Sequence, residues 1–260
     1  MRSLNLEEIQ KTLRTIAETD LAKPQEVKDN AIILEDLLLS KKFTLSEEVA
    51  LVHHLTQNGL LKKIQLLYEN FESHLEINFA KEILSNNISD YREYFLYKRF
   101  LGLITSEIKL AQIQKEDKLL FIGSGPFPIS AILFSKLTGC SIDCYEKNAD
   151  HARLSSEVIS HLGLANKIRI KNRKGEYLIN NNYSIVVIAL LAKPKNEIFR
   201  KVIEEISLYV KLICRTSAHL RQVFYEATEP ECLGLCKMVK IHNAKGNQTI
   251  SSVLLKPINW

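Results

Sequence analysis

Gly123, Ser124 and Gly125 stand where an apolar run, Leu119-Leu120-Phe121-Ile122, stops. Pro126-Phe127-Pro128 and a helix-like pattern, Ile129-Ser130-Ala131-Ile132-Leu133-Phe134, follow. That order reads as strand, tight turn and helix N-terminus, a place where α/β proteins bring backbone close to a nucleotide. Glycine omits the Cβ that would block such an approach. Glu146 closes the next apolar segment, Ser141-Ile142-Asp143-Cys144-Tyr145, 23 positions after Gly123. At that spacing a carboxylate can accept both ribose hydroxyls. Its other reading is a solvated carboxylate that caps the next helix. The third glycine of a dinucleotide fingerprint is replaced by Pro126-Phe127-Pro128. An adenosine without phosphates therefore fits better than a pyrophosphate, and S-adenosylmethionine meets that description.

The elements that must position this turn fall into two classes. Residues 1–113 carry helical periodicity: Leu4, Leu6, Ile9, Leu13; then Val27, Ile32, Leu34, Leu37, Leu38 after Pro24; then Val49, Leu51, Val52, Leu55 after a capping-box sequence, Thr44-Leu45-Ser46-Glu47. A long stripe runs from Leu60 to Leu84, Asn86-Asn87 breaks it, and Ser89-Asp90 opens a further helix through Tyr94, Tyr97, Leu101 and Ile108. This predicts an N-terminal bundle of four to six helices. Gln114-Lys115-Glu116-Asp117 is a polar joint. Over 114–260 strands are expected at 118–123, 141–146, 167–171, 184–191 and 208–214, with helices at 127–138, 149–162 and 195–206. A helical stretch at 218–227 and an antiparallel hairpin around 242–248 follow. The expected fold is α/β: a class I methyltransferase-like Rossmann sheet, mainly parallel, preceded by the all-α bundle.

Composition narrows the functional classes. The 260 residues are 46% hydrophobic and 25% charged, with five cysteines and a net charge of +5. The basic residues are interspersed with acidic ones, so no nucleic-acid partner is expected. A mild positive field suits carboxylate-bearing small molecules. Apolar runs such as Tyr183 to Ala192 are far shorter than the ~20 residues of a membrane span. With no secretory h-region at the start and no disulfide-scaffold spacing, a cytoplasmic protein is expected. Cys140 with Cys144, and Cys232 with Cys236, could join His219 and His242 at a zinc ion, but buried free thiols are the expected state and no resident metal is assigned. His53-His54 reads as a helix surface.

The glycine turn, Phe121-Ile122-Gly123-Ser124-Gly125-Pro126-Phe127-Pro128-Ile129-Ser130, closely resembles that of nicotianamine synthases, roughly F-V-G-S-G-P-L-P-L-T. Leu75-Glu76-Ile77-Asn78-Phe79 is similar to the family's L-E-x-H followed by Y or F, and Phe95-Leu96-Tyr97-Lys98-Arg99-Phe100-Leu101 to its P-Y-Y-x-N-Y-L. Tyr183 to Leu191 resembles Y-D-V-V-F-L-A-A-L-V. Cys214-Arg215-Thr216-Ser217-Ala218-His219-Leu220-Arg221 resembles L-R-S-A-H-A-L-R, with Tyr225 matching a later tyrosine. Ile250 to Leu255 resembles the closing strand.

Such enzymes use the class I methyltransferase fold and S-adenosylmethionine without moving the methyl. They transfer the 3-amino-3-carboxypropyl (aminobutanoyl) arm to an amine and release methylthioadenosine, in making nicotianamine-like or opine-type metal chelators. Bacterial relatives place one unit on histidine. The resemblance implies that Glu76 holds the attacking amine and takes its proton, and that Tyr97 orients donor or acceptor, with Tyr94 a second candidate. It implies cofactor contacts from Gly123, Ser124, Gly125, Pro126, Glu146, Leu190 and Leu191. It implies carboxylate binding by Arg215 and Arg221, an amino-acid acceptor (histidine or an aminobutanoyl unit) and a homodimer. From the residues alone Glu76 could be a surface charge, Tyr97 a bundle aromatic, and either arginine part of a structural ion pair. The chain departs from the family pattern at Phe95-Leu96, Phe100, His74, Ser184 and His219. At Arg173-Lys174-Gly175 an acidic residue is missing that Glu176 could replace. A methyltransferase, or a silent protein binding S-adenosylmethionine or methylthioadenosine, are the alternatives.

Overall fold

The computed structural model describes residues 6–175 and 182–258; Leu4 and Glu176 of the sequence reading lie outside them. Helix α1 (Leu6–Ala17) buries Ile9, Leu13 and Ile16 along one stripe. Helix α2 (Pro24–Leu39) carries its proline in the first turn, where the missing N–H costs no helical bond. Its buried face is Val27, Ala31, Leu34, Leu37 and Leu38, whereas Ile32, expected in the stripe, is exposed. Helix α3 (Leu45–Gln57) has the expected capping box: the Thr44 hydroxyl accepts from Glu47 N–H, and Thr44 N–H donates to Glu47 Oε2 at 2.7 Å. Leu51 and Leu55 are buried, but Val49 is exposed. Helix α4 is the long element, Leu61–Leu84.

The next helix begins later than its pattern suggested. Asp90 caps only a 3-10 turn, Tyr91–Glu93, by accepting from Arg92 N–H at 2.9 Å. Tyr94 is then extended (φ −56°, ψ 129°), and helix α5 runs Tyr97–Ala111.

From there strands and helices alternate: β1 (Lys118–Ile122), α6 (Ile129–Thr138), β2 (Ser141–Glu146), α7 (Ala149–His161), β3 (Ile168–Asn172), β4 (Ile185–Ile188), α8 (Lys195–Glu205) and β5 (Lys211–Thr216). A 3-10 turn, His219–Val223, stands where a longer helix was expected. Helix α9 (Pro230–Leu233) leads into the hairpin β6 (Cys236–His242) and β7 (Ser251–Pro257). The sheet order is β3-β2-β1-β4-β5-β7-β6. The first five strands are parallel, and β7 pairs antiparallel with both β5 and β6. This is the methyltransferase-like sheet with its closing hairpin. All four residues of β4 are buried, as a central parallel strand covered on both faces requires. The order reverses between β1 and β4, the switch point where open α/β sheets bind ligands.

The described chain forms two compact units. One holds the residues up to His74 with Ser217–Ala227 and Ala244–Thr249; the other holds Leu75–Thr216, Thr228–Asn243 and the residues from Ile250 on. Within α4, His74 belongs to the first unit and Leu75 to the second. The reason is aromatic: Phe79 and Tyr94 pack their rings 4.8 and 5.1 Å from that of Phe127 in the glycine turn. The end of α4 and α5 therefore cluster with the sheet.

In the first unit a buried polar core joins the helices to Ser217–Ala227. Tyr225 O–H donates to Glu72 Oε1 at 2.6 Å, and Tyr68 O–H donates to Glu35. Burial, then the Glu72 charge, pushes the Tyr225 phenol well up, so it stays protonated. All five cysteines are buried free thiols. Burial raises Cys236 to about 11 and Cys144 further, so these thiols stay protonated near neutral pH. Among the described residues no group of three or more His, Cys, Asp or Glu side chains could hold a metal ion, and no helix is long and apolar enough to cross a membrane.

Asp143 on β2 is 4% exposed. Burial raises its pKa, but Tyr183 O–H at 2.7 Å, Lys171 Nζ at 3.0 Å and the Lys118 charge together hold it below the usual carboxylate range. A depressed folded pKa contributes stability above the unfolded value of about 3.9, lost as pH falls through the folded one. Asp143→Asn is expected to lower Tm near neutral pH, with the gap from wild type closing below about pH 4 in thermal scans.

Candidate active site

The glycine turn is held by backbone and side chain together. Gly123, at φ +84°, donates its N–H to Tyr145 O at 2.8 Å, which clamps the turn to the end of β2. A Cβ there would lie 2.9 Å from Ala192 Cβ, so only glycine lets the segment after β4 close on β1. Gly125, at φ +72°, donates its N–H to Glu146 Oε2 at 3.0 Å. The other oxygen of Glu146 accepts from Asn148 N–H at 2.9 Å. Glu146 is 7% exposed. Each of its oxygens keeps a second lone pair for a ligand hydroxyl.

Glu76, half-buried on α4, reaches the same glycine from another side: a Cβ on Gly125 would collide with its carboxylate. One residue without a side chain therefore holds one carboxylate by its N–H and admits a second beside its Cα. Ser124 Oγ is buried and has no hydrogen-bond partner among the described residues. Pro126 is buried, Pro128 precedes α6 without a side-chain cap, and the first N–H of α6, on Ile129, donates to Phe127 O at 2.8 Å.

Between β1, β2 and the segment after β4 lies a half-open cleft of about 310 Å³, its solvent-filled mouth included. Gly123, Glu146, Tyr145 and Leu191 line it, with Lys147, Arg173 and Lys193 at the cationic side and Ile122 and Ile198 as apolar walls. Gly175 closes it, since a Cβ there would strike Ile122. Arg173 lies 5.6 Å over the Tyr145 ring. The donors Lys147 and Lys193 were not singled out from sequence; their one signal is position directly after a strand end and in the loop after β4.

Tyr97 is half-buried and opens α5, its ring 6.1 Å from that of Tyr91 in an edge arrangement. Tyr91 is a further residue missed from sequence. Burial, then proximity to Tyr97, raises its phenol pKa.

The structure does not bring every expected residue to the cleft. Tyr94 is 3% exposed, packed among Phe79, Phe100 and Phe127. Leu190 is buried, and its carbonyl accepts from Lys195 Nζ at 3.3 Å. For Arg215 the geometry matches the ion-pair reading. Its Nε and Nη2 each lie 2.9 Å from a Glu107 oxygen and its Nη1 donates to Ser130 Oγ, so the guanidinium is committed to an internal ion pair, with Arg215 3% and Glu107 0% exposed. Arg221 belongs to the other unit, where it donates to Gly246 O at 3.0 Å and Gln248 O at 3.4 Å, bracing that loop. The Ser184 departure has a local answer: Ser184 Oγ donates to Asp117 Oδ1 at 2.7 Å and accepts from Lys118 N–H.

Sheet order, glycine turn and the acidic end of β2 define a class I methyltransferase-like α/β protein. The family description "nicotianamine synthase protein" matches residues 5–258, and the chain belongs to the nicotianamine synthase family. A crystal structure of a glutamate-to-glutamine mutant of MtNAS in complex with S-adenosylmethionine superposes with a TM-score of 0.89 at 21% identity, covering 100% of both chains. MtNAS in complex with MTA and tNA gives 0.84 at 22% identity, over 98% of this chain and 97% of that one. These likenesses establish the fold. The L-histidine 2-aminobutanoyltransferase of Yersinia pestis is 25% identical over 121 residues, 46% of this chain and 45% of the relative. The chain spans about half the length of the curated relatives it matches.

Gly125→Ala forces an L side chain to φ +72° and into Glu76, whereas Gly59→Ala meets the same kind of φ (+66°) with nothing within 4 Å. Both are expected to lose about 1–2 kcal/mol of stability from the left-handed backbone. Calorimetric titration with S-adenosylmethionine should show an affinity loss of about ten-fold or more for Gly125→Ala only.

Proposed function

We propose that this chain is an aminobutanoyltransferase: it moves the 3-amino-3-carboxypropyl arm of S-adenosylmethionine to an amino-acid amine and releases methylthioadenosine, in making a nicotianamine-like or opine-type chelator. The observation that carries the reading is the meeting of Glu76 and Glu146 at Gly125. The family membership and the histidine-directed names of its relatives support it. In this reading the nucleoside occupies the cleft, Glu146 accepts its ribose hydroxyls, and the Ser124 hydroxyl faces the donor.

The chemistry follows from charge. A sulfonium activates three carbons, and orientation selects among them. The acceptor nitrogen must be neutral and ~3–3.5 Å from the γ-carbon, in line with sulfur. As the C–N bond forms, the C–S bond breaks and its electron pair returns to sulfur, leaving a neutral thioether. The proton shed by the new ammonium goes to Glu76, a carboxylate placed to hold the amine first and take its proton afterwards. Tyr97, with Tyr91 beside it, orients the reacting groups. Histidine is the acceptor the relatives' names favour, and a homodimer in the cytosol is part of the proposal.

Incubation with S-adenosylmethionine and histidine, read by mass spectrometry, should yield methylthioadenosine and histidine enlarged by one aminobutanoyl unit. S-adenosylhomocysteine as the sole nucleoside product would overturn the proposal in favour of methyl transfer. Glu76→Gln should slow methylthioadenosine release by about 10²-fold or more while S-adenosylmethionine binding is nearly unchanged. Full rate in that variant would remove Glu76 from the base role.

A further inference from the structure

We propose that the buried Glu107–Arg215 ion pair is a positioning device for the active site, which fixes the helix beginning at Tyr97 to the helix that follows the glycine turn. What is positioned rests on the aminobutanoyl-transfer reading; the fixing itself rests on geometry. Glu107 and Ser252 are 0% exposed, Arg215 3% and Ser130 5%. Glu107 Oε1 accepts from Arg215 Nε at 2.9 Å and from Ser252 Oγ at 2.6 Å, and Oε2 accepts from Arg215 Nη2 at 2.9 Å. Arg215 Nη1 donates to Ser130 Oγ at 3.0 Å, and the guanidinium lies 5.1 Å over the ring of Phe121.

Each group stands on a different element. Glu107 is on α5, Ser130 in the first turn of α6, Arg215 on β5, Ser252 opposite it on β7, and Phe121 is the last-but-one residue of β1. The Arg215 carbonyl accepts from Lys195 Nζ, which also reaches Leu190 O after β4. Helices α5 and α6 and strands β5 and β7 thus meet at a single guanidinium, and the main chain of the same residue ties in the segment after β4 through Lys195.

Stability alone does not call for such a pair. Exchanging a buried ion pair for apolar side chains of similar volume is often neutral or stabilising, because the desolvation of both charges is avoided. What apolar groups lack is direction: a bidentate planar fork fixes the angle as well as the distance between its partners. Glu107 lies ten positions along α5 from Tyr97, about 15 Å of helix, so a small tilt at the pair displaces Tyr97 while leaving the cleft between β1, β2 and β4 intact. Arg215 and Glu107 are positioning residues, which act through Tyr97 and the turn.

The test compares wild type with the paired variant E107M/R215M and with Arg215→Lys. Spin labels at exposed Lys98 on α5 and Leu137 on α6 report the distance between the two helices, the native cysteines all being buried. The paired variant is expected to unfold cooperatively and to bind S-adenosylmethionine nearly as wild type. Its interlabel distance distribution should broaden and its maximal rate of methylthioadenosine release fall by about ten-fold or more, with KM little changed. Arg215→Lys, which keeps the charge but not the fork, should fall between. A distribution as narrow as wild type, or an undiminished maximal rate, would overturn the proposal. Should the paired variant not fold, Arg215→Lys and Glu107→Asp read the same two quantities. Should wild type transfer no aminobutanoyl arm, the functional reading fails, and the distance measurement still decides the positioning.

Discussion

One residue without a side chain holds this site together. Gly125 must be left-handed to turn the chain from β1 toward α6, must give its N–H to Glu146 and must leave its Cα bare beside Glu76. No L-residue meets all three conditions. The rest of the unit follows from keeping that arrangement fixed. Gly123 binds the turn to the end of β2, and Phe127 anchors it between Phe79 and Tyr94. Phe79 lies one helical turn beyond Glu76, so the aromatic cluster that seats the turn also seats the carboxylate it meets.

That arrangement explains how a methyltransferase-like sheet could serve a different displacement. In the function proposed for this chain, the cleft and Glu146 address the nucleoside and do not choose among the three carbons on sulfur. The choice falls to whatever side chain stands where the acceptor nitrogen must be. On the proposed function that side chain is the Glu76 carboxylate, from a helix outside the sheet, and the chemistry would then be set by an addition to the fold and not by the fold itself. A carboxylate is apt for an amine acceptor, since it both binds and deprotonates it.

Much of this was legible in the sequence, for physical reasons. Strand and helix periods placed β1, β2 and α6 within two residues, because buried parallel strands and their covering helices have strong patterns. The capping box at Thr44 and the breaks at Gly59 and Asn86 were local chemistry, and local chemistry reads directly. Two kinds of feature were not legible. Asp90 spends its cap on a single 3-10 turn, because its carboxylate binds the Arg92 side chain as well as its backbone. Arg215 read equally as a ligand-binding cation or part of an ion pair, because its partners Glu107 and Ser130 are distant in sequence and periodicity carries no record of such pairings. The same holds for the division of the chain: a polar joint marks where helices give way to strands, whereas rings brought together by folding decide which helices belong with the sheet.

The most direct test of the account is a crystal structure of this chain with S-adenosylmethionine and histidine bound to the Glu76→Gln variant, which is expected to stall turnover. The account predicts the nucleoside in the cleft with its ribose on Glu146, and the γ-carbon of the aminobutanoyl arm turned toward residue 76 with the histidine amine between them. A donor whose methyl, not its γ-carbon, faces residue 76, or a nucleoside bound away from Glu146, would contradict it.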